Sequence, residues 1–390
     1  MTLLLFVRFG TAVVVSKCMQ ILLAFDKFKG TLTASEACRA ASAGLARALP
    51  DARLESLPVA DGGDGTLEVI ASVLKGQRHR VTVENAVSTR QVEAEFLLTD
   101  WDGDRTAILE MASASGLALL ENHERNPLTA STYGTGQLML AALERGAEHL
   151  IIGLGGSASN DCGLGMAEAC GFKFVGEDGE EVLPLPSRLT DVRQIQVPAD
   201  RIPCRVTALI DVDNPLLGPT GATRVFGPQK GVTPEMVSGF DRRFEHLVDL
   251  LNDQEGAALP GSGAAGGSGF GLRHFFGARL ERGFPFISDL LGLRQRVEKA
   301  DLVVVGEGML DGQTLSGKAP AGIGELARTA GKPVIAVGGA VDPDARKALE
   351  TVFTSVYGLT DSIPTEKAMN FPSESLEEFC RVLGEQLAAD

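Results

Sequence analysis

Five stretches of this 390-residue sequence set carboxylates, lysines or hydroxyls among glycines. In DKFKG, Lys27 and Lys29 bracket an aromatic residue. An ammonium there could meet a carboxylate or a phosphate, and a solvated turn would look the same. In DGGDGT, residues 61–66, the glycines let backbone approach a ligand and offer N–H donors before a helix. Asp61 and Asp64 would repel a bare phosphate. They suit a Mg2+ ion or the uptake of a hydroxyl proton, and two exceed what a helix cap needs. In GLGGSASND, residues 153–161, Gly155, Gly156, Ser157, Ser159 and Asn160 offer N–H groups, hydroxyls and an amide to anionic oxygens, although a glycine turn after a strand is also an ordinary connection. In DVDNP, Asp211 opens an acidic pair compatible with a metal, but Asp and Asn before Pro also start turns. The nearby FGPQKG offers a lysine on a rigid loop. In GEGMLDGQTLSGK, residues 306–318, Gly312, Gly317 and Lys318 have GxxxxGK spacing, with Ala319 where a P-loop has Ser or Thr. Gly306, Gly308, Gly317 and Lys318 could still cradle phosphates at a helix start, with Glu307 and Asp311 as metal ligands.

This set of loops suits phosphoryl transfer, which needs phosphate cradles, cations, Mg2+ ligands and one base. Other chemistries find less support. The six cysteines include no CxxC pair or zinc spacing, and the five histidines include no HExxH. The cysteines are expected to be reduced and mostly buried. A net charge of -15 disfavours nucleic acid and anionic membrane as partners. Residues 3–16 are apolar but interrupted by Arg8, too short to span a bilayer, and without the charged start of a signal peptide. Residues 1–18 are therefore expected to be an extension outside the fold, and the protein to be cytoplasmic.

The elements that must position these loops follow from hydrophobic pattern. Ile21–Phe25 is a buried parallel strand closed by Asp26. Thr33 to Glu36 is a capping box, and Ala37, Ala41, Leu45 and Ala48 share one helical face. Leu54–Ala60 reads as a second strand, with a helix after DGGDGT to about Val73. Strands at Leu302–Val305, Val334–Val337 and Phe353–Tyr357 alternate with helices toward the C-terminus. Residues 80–110 alternate in hydropathy, as antiparallel strands do. Helices at about 135–146 and 163–171 and strands at 150–154 and 206–210 follow, and the glycine-rich 255–271 is expected to be irregular. The fold class is α/β in two domains. Residues 19–78 with 290–390 form a parallel-sheet domain from both termini, and 79–289 form an inserted mixed α/β domain. Loops at strand ends and a domain crevice are where ligands are expected.

AFDKFKGTLTA, PVADGGDGT, GLGGSASNDCGLG, DVDNPLLGPTGA, FGPQKG and GEGMLDGQTLSGKAP appear in this order across nearly all of the chain from Met19 onward. In these motifs the chain resembles the bacterial glycerate kinase family of sugar-acid and glyoxylate breakdown. The resemblance implies a flavodoxin-like domain, a cleft between two domains, and ATP with Mg2+ as cosubstrates. It also implies D-glycerate as acceptor and 2-phosphoglycerate as the usual product, with 3-phosphoglycerate the other outcome. Lys27 or Lys29 would meet the substrate carboxylate, and Asp61 or Asp64 would take the proton or bind Mg2+. Three rival readings remain: a kinase of another small hydroxy acid, a nucleotide- or flavin-binding oxidoreductase, and a non-catalytic sensor. Against the oxidoreductase, the one GxGxxG spacing, Gly261 to Gly266, follows Pro260 rather than a strand.

Overall fold

The computed structural model describes residues 19–87, 90–199, 204–315 and 318–389. They form two compact units, one of 19–61, 68–73 and 284–389, the other within 62–67 and 74–283. The expected extension, 1–18, lies outside the described residues.

The first unit is built on a five-stranded sheet in which each adjacent pair is parallel. Its strands are Gln20–Phe25, Arg53–Ser56, Leu302–Leu310, Val334–Val341 and Ser355–Gly358. Numbered along the chain within this sheet, their spatial order is 2-1-3-4-5, the flavodoxin-like order. The direction of winding reverses between Gln20–Phe25 and Leu302–Leu310, which pair from Ile21 opposite Leu302 to Phe25 opposite Gly306. Ile21 to Phe25 and Leu302 to Val305 are at most 1 % exposed, the all-apolar signature of a sheet covered on both faces. Helix Ala34–Ala48 starts at the expected capping box. It packs along helix Pro372–Ala389 so closely that a methyl group on Gly44 would lie 2.1 Å from the Glu377 carbonyl oxygen.

Several strand boundaries differ from expectation: Val334–Val341 runs past the expected end at Val337, and Ser355–Gly358 begins two residues after Phe353. Arg53–Ser56 is shorter than Leu54–Ala60. Leu57 and Val59 still donate to the Leu23 and Phe25 carbonyls, so the chain keeps following its neighbour beyond Ser56, with Pro58 turned to the open edge of the sheet where no N–H is needed. Leu302–Leu310 is longer, carrying Gly306, Glu307 and Gly308 within a strand rather than a loop. Glycine permits this extension. The Phe28–Lys29 backbone passes so near Gly308 that a methyl group there would lie 3.1 Å from the Lys29 nitrogen.

The second unit holds a six-stranded sheet. In spatial order its strands are Arg279–Arg282, Arg205–Ile210, His149–Gly153, Asp104–Glu110, Gln91–Trp101 and Gly76–Glu84. The last three pair antiparallel, as the alternation in 80–110 predicted, and the others parallel. Helices Tyr133–Glu144 and Leu164–Ala169 fall where expected.

The glycine-rich 255–271 departs from expectation, for most of it is helical: Gln254–Ala258 and then Ala264–Phe276. Its glycines serve close approach rather than disorder. A methyl group on Gly269 would lie 2.2 Å from the Gly261 carbonyl oxygen, and one on Gly271 2.0 Å from that of Cys162. Irregularity remains in the turn 259–263 and, inside the second helix, at Ala265, Gly266 and Gly267, with φ of 52°, 68° and 86°. Cys38, Cys162, Cys170 and Cys380 are buried thiols, and Cys204 is half-buried. Among the described residues no helix is long and apolar enough to cross a membrane.

Candidate active site

Each unit carries its own constellation at the carboxyl ends of its strands. In the first, Asp26 follows Phe25 directly, at the reversal point of the sheet, and Glu307 follows Gly306 on the neighbouring strand. The Asp26 backbone N–H donates to the Gly306 carbonyl at 2.9 Å, which locks the two strand ends together. Asp26 is 6 % exposed and Glu307 8 %. Burial pushes the Asp26 carboxyl up to about 7. The negative charges of Asp61 and Glu307 add to this, and the Lys27 ammonium and backbone N–H oppose it. Burial also raises Glu307, with Asp311 and Asp61 adding. A hydrogen bond from Thr314 Oγ1 at 2.7 Å and the Lys318 ammonium act the other way. Asp26, Asp61, Glu307 and Asp311 thus share one field of mutually unfavourable negative charge.

The loop after Leu302–Leu310 is closed on itself. Asp311 Oδ1 accepts from the Gln313 and Thr314 backbones at 2.8 and 3.2 Å. Lys318 then forms the N-cap of helix Ala319–Thr329, whose first N–H groups and dipole favour an anion. Gly317 lies outside the described residues. Lys27 is half-buried and Lys29 exposed, on a turn tied by reciprocal bonds between Phe28 and Leu32. Gly306 and Gly308, expected as phosphate donors, have a packing use. A methyl group on Gly306 would lie 2.5 Å from the Phe25 ring.

In the second unit the glycine loop leaves strand His149–Gly153 and lies against the loop 62–67. Methyl groups on Gly153 and Gly155 would lie 2.8 Å from the Gly62 oxygen and 2.5 Å from the Gly63 Cα. Asp64 is exposed beside Gly156. Ser157, Ser159 and Asn160 are buried. The Lys230 Nζ donates to Ser157 Oγ at 2.7 Å and to the Ser159 carbonyl at 2.6 Å. Burial pulls this lysine down to about 7, and Asp161 partly restores it. Asn160 Nδ2 donates to Thr223 Oγ1 at 3.0 Å. Asp161 accepts from Thr132 N and Oγ1, both at 2.8 Å, and from the Gly163 and Gly165 backbones. Asp211 is exposed beyond strand Arg205–Ile210, where Asp213 is ion-paired with Arg282. Among the described residues, no three His, Cys, Asp or Glu side chains are clustered as a metal site.

The structure gives three residues a place that the sequence did not. Lys230 was offered only as the lysine of FGPQKG on a rigid loop and Asp26 only as the end of a strand, and nothing in the sequence marked either as buried. Thr314 became visible only through its bond to Glu307.

Comparison with known proteins agrees with these motifs. The sequence profile of the Glycerate kinase family matches residues 21–388. A glycerate kinase of Halalkalibacterium halodurans is 39% identical over 371 residues, 93% of this chain and 96% of that one. A glycerate 2-kinase of Escherichia coli is 37% identical over 353 residues, 89% of this chain and 92% of that one. A crystal structure from Salmonella typhimurium LT2, described as a glycerate kinase 2, superposes with a TM-score of 0.78 at 36% identity, covering 95% of this chain and 98% of that chain. With a family match over nearly its whole length and relatives at this level, the chain belongs to the glycerate kinase family of enzymes.

Proposed function

We propose that the protein transfers the γ-phosphoryl group of ATP to a hydroxyl of D-glycerate, giving 2-phosphoglycerate. One observation carries this reading. A buried carboxylate with a raised pKa, Asp26, sits at the reversal point of a 2-1-3-4-5 sheet, with Glu307 on the next strand. Ligands bind at this point in open α/β sheets, and a carboxyl poised near neutrality suits a general base. Asp26 takes the hydroxyl proton, the hydroxyl oxygen bonds to the γ-phosphorus, and the bond to the bridging oxygen breaks to release ADP. Asp61 keeps Asp26 poised by its charge. The Lys27 and Lys29 ammonium groups answer the substrate carboxylate. Lys318 and the helix it caps answer ATP phosphates. Gly155, Gly156, Ser157, Ser159 and Asn160 offer donors to ligand oxygens in the second unit.

The residues fit Mg2+. Glu307 and Asp311 supply hard oxygen donors in a field of excess negative charge that a divalent cation relieves. Mg2+ needs only one or two protein carboxylates when nucleotide phosphates complete its shell. When bound, it neutralises charge developing on the phosphoryl oxygens.

The test is a ³¹P NMR spectrum of the purified protein with D-glycerate, ATP and Mg2+. A 2-phosphoglycerate resonance is expected. A 3-phosphoglycerate resonance would move the transfer to the other hydroxyl, and unreacted ATP would overturn the reading.

A further inference from the structure

The loop 153–163 of the second unit does not hold its own shape. Gly156, Cys162 and Gly163 have φ of 76°, 53° and 72°, a region that Cys adopts only under constraint. Ser159 Oγ and Asn160 Oδ1 are buried, and among the described residues neither has a hydrogen-bond partner. A free loop would relax to satisfy both atoms. Something else must therefore impose this conformation, and the contacts show where it is applied. At the start of the loop, Gly155 is pressed against Gly63. At its end, Asp161 is held by Thr132 and by two N–H groups around the start of helix Leu164–Ala169. The middle is tied by backbone bonds from Ala158 N–H to the Ser115 carbonyl and from Leu117 N–H to the Gly156 carbonyl, and by Asn160 Nδ2 to Thr223 Oγ1; the one charged side chain that reaches it is Lys230, from 71 to 73 residues away, to Ser157 Oγ and the Ser159 carbonyl.

We propose that Lys230 is a positioning residue: its side chain fixes the Ser157–Ser159 stretch in the conformation that presents the loop's donors to a ligand. The assignment of that ligand as a phosphorylated substrate or nucleotide rests on the function proposed above. Burying a lysine is unfavourable, and Lys230 is 2 % exposed. The negative charge of Asp161 is what opposes the effect of burial on its ammonium. Arg125 Nη1 donates to the neighbouring Gln229 carbonyl at 3.4 Å. A buried polar group that lowers stability while ordering a ligand loop is the pattern of a site kept for function.

The test compares the full-length protein with Lys230→Met, which keeps the volume and removes the donors, and with Lys230→Gln, which restores an N–H donor. Thermal unfolding, amide hydrogen exchange and turnover are measured on each. For the Met variant, exchange should rise at least tenfold across 153–161 and stay unchanged in strands His149–Gly153 and Arg205–Ile210. Its melting temperature should not fall, and kcat should fall ten- to hundredfold with smaller changes in KM. The Gln variant should recover part of both the exchange protection and kcat. Unchanged exchange in the loop overturns the proposal. So does a uniform rise in exchange with a lower melting temperature, which would make Lys230 a general stabiliser. Exchange decides the positioning role even if the wild-type protein fails to phosphorylate D-glycerate, an outcome that removes the functional reading alone.

Discussion

Asp26 and Lys230 are ionisable groups held where their charge is disfavoured, and the two respond to pH in opposite ways. The folded state raises Asp26 from 3.8 to about 7. Between those values the native protein binds more protons than the unfolded chain, so stability falls as pH rises through that window, by up to about 4 kcal/mol. The folded state lowers Lys230 from 10.5 to about 7, so its penalty is full below about 7 and fades as pH rises toward 10.5. Asp26→Asn should therefore unfold at a higher temperature than wild type at pH 8, with the gain shrinking toward pH 5. As the proposed base, it should lose about 10²–10⁴-fold in kcat. Calorimetry and a coupled ADP assay check both halves, and near-normal turnover would take Asp26 out of the base role. The sequence offered Lys230 only as a lysine on a rigid loop and Asp26 only as the close of a strand, and the burial of neither was legible. A carboxylate that closes a buried strand reads the same as one opening a solvated turn. Lys230 meets partners 71 and 73 residues away, a spacing no local pattern encodes.

At the scale of elements, hydrophobic pattern located most strands and helices, because runs such as Ile21–Phe25 are buried through local and tertiary demand alike. It misjudged some strand ends and places where glycine decides. Arg53–Ser56 ends before its apolar run does, although Leu57 and Val59 still bond to the neighbouring strand. Gly306 and Gly308 prolong one that seemed to stop at Val305. In 255–271, glycines that suggested an irregular segment instead let a helix touch the Cys162 loop. Glycine at Gly155 has the opposite consequence for the site, since it brings two loops together. Gly155→Ala should force the 153–161 loop away from Gly63, and a displacement near 1 Å at a positioning loop costs about 10² in rate. We expect kcat/KM to fall by about 10–10²-fold with little change in far-UV circular dichroism. Wild-type kinetics would mean that the contact with Gly63 does not set the loop's working position.

At the scale of the whole molecule, composition and charge excluded classes of partner, and the alternation of strands and helices gave the α/β class. The order of the sheet was not readable from the pattern, because pairing of Gln20–Phe25 with Leu302–Leu310 joins segments from opposite ends of the chain. Flavodoxin-like order entered through resemblance, and the sheet bears it out. If the crowded carboxylates of the first unit await Mg2+ and nucleotide, chelation with EDTA should abolish turnover and Mg2+ should restore it. MgATP at about 100 times its Kd should stabilise the protein by about 2.7 kcal/mol, read as a higher melting temperature. No thermal shift with MgATP would argue against nucleotide binding.

The same long-range pairing sets a timetable for biosynthesis. Gln20 bonds to Asp301, 281 residues further along the chain. At ribosomal rates of about 5–20 residues per second, the first strand waits roughly 15–55 s for its neighbour on the growing chain. Throughout that interval Ile21 to Phe25, destined for the dry middle of a sheet, can be covered only by helix Ala34–Ala48 and strand Arg53–Ser56, or by a chaperone. The inserted unit has its strands within 76–282 and can complete its sheet first. While the chain grows, one sheet can be complete while the apolar strand Gln20–Phe25 still lacks its neighbour Leu302–Leu310, a stage at which a holdase would find an exposed apolar segment.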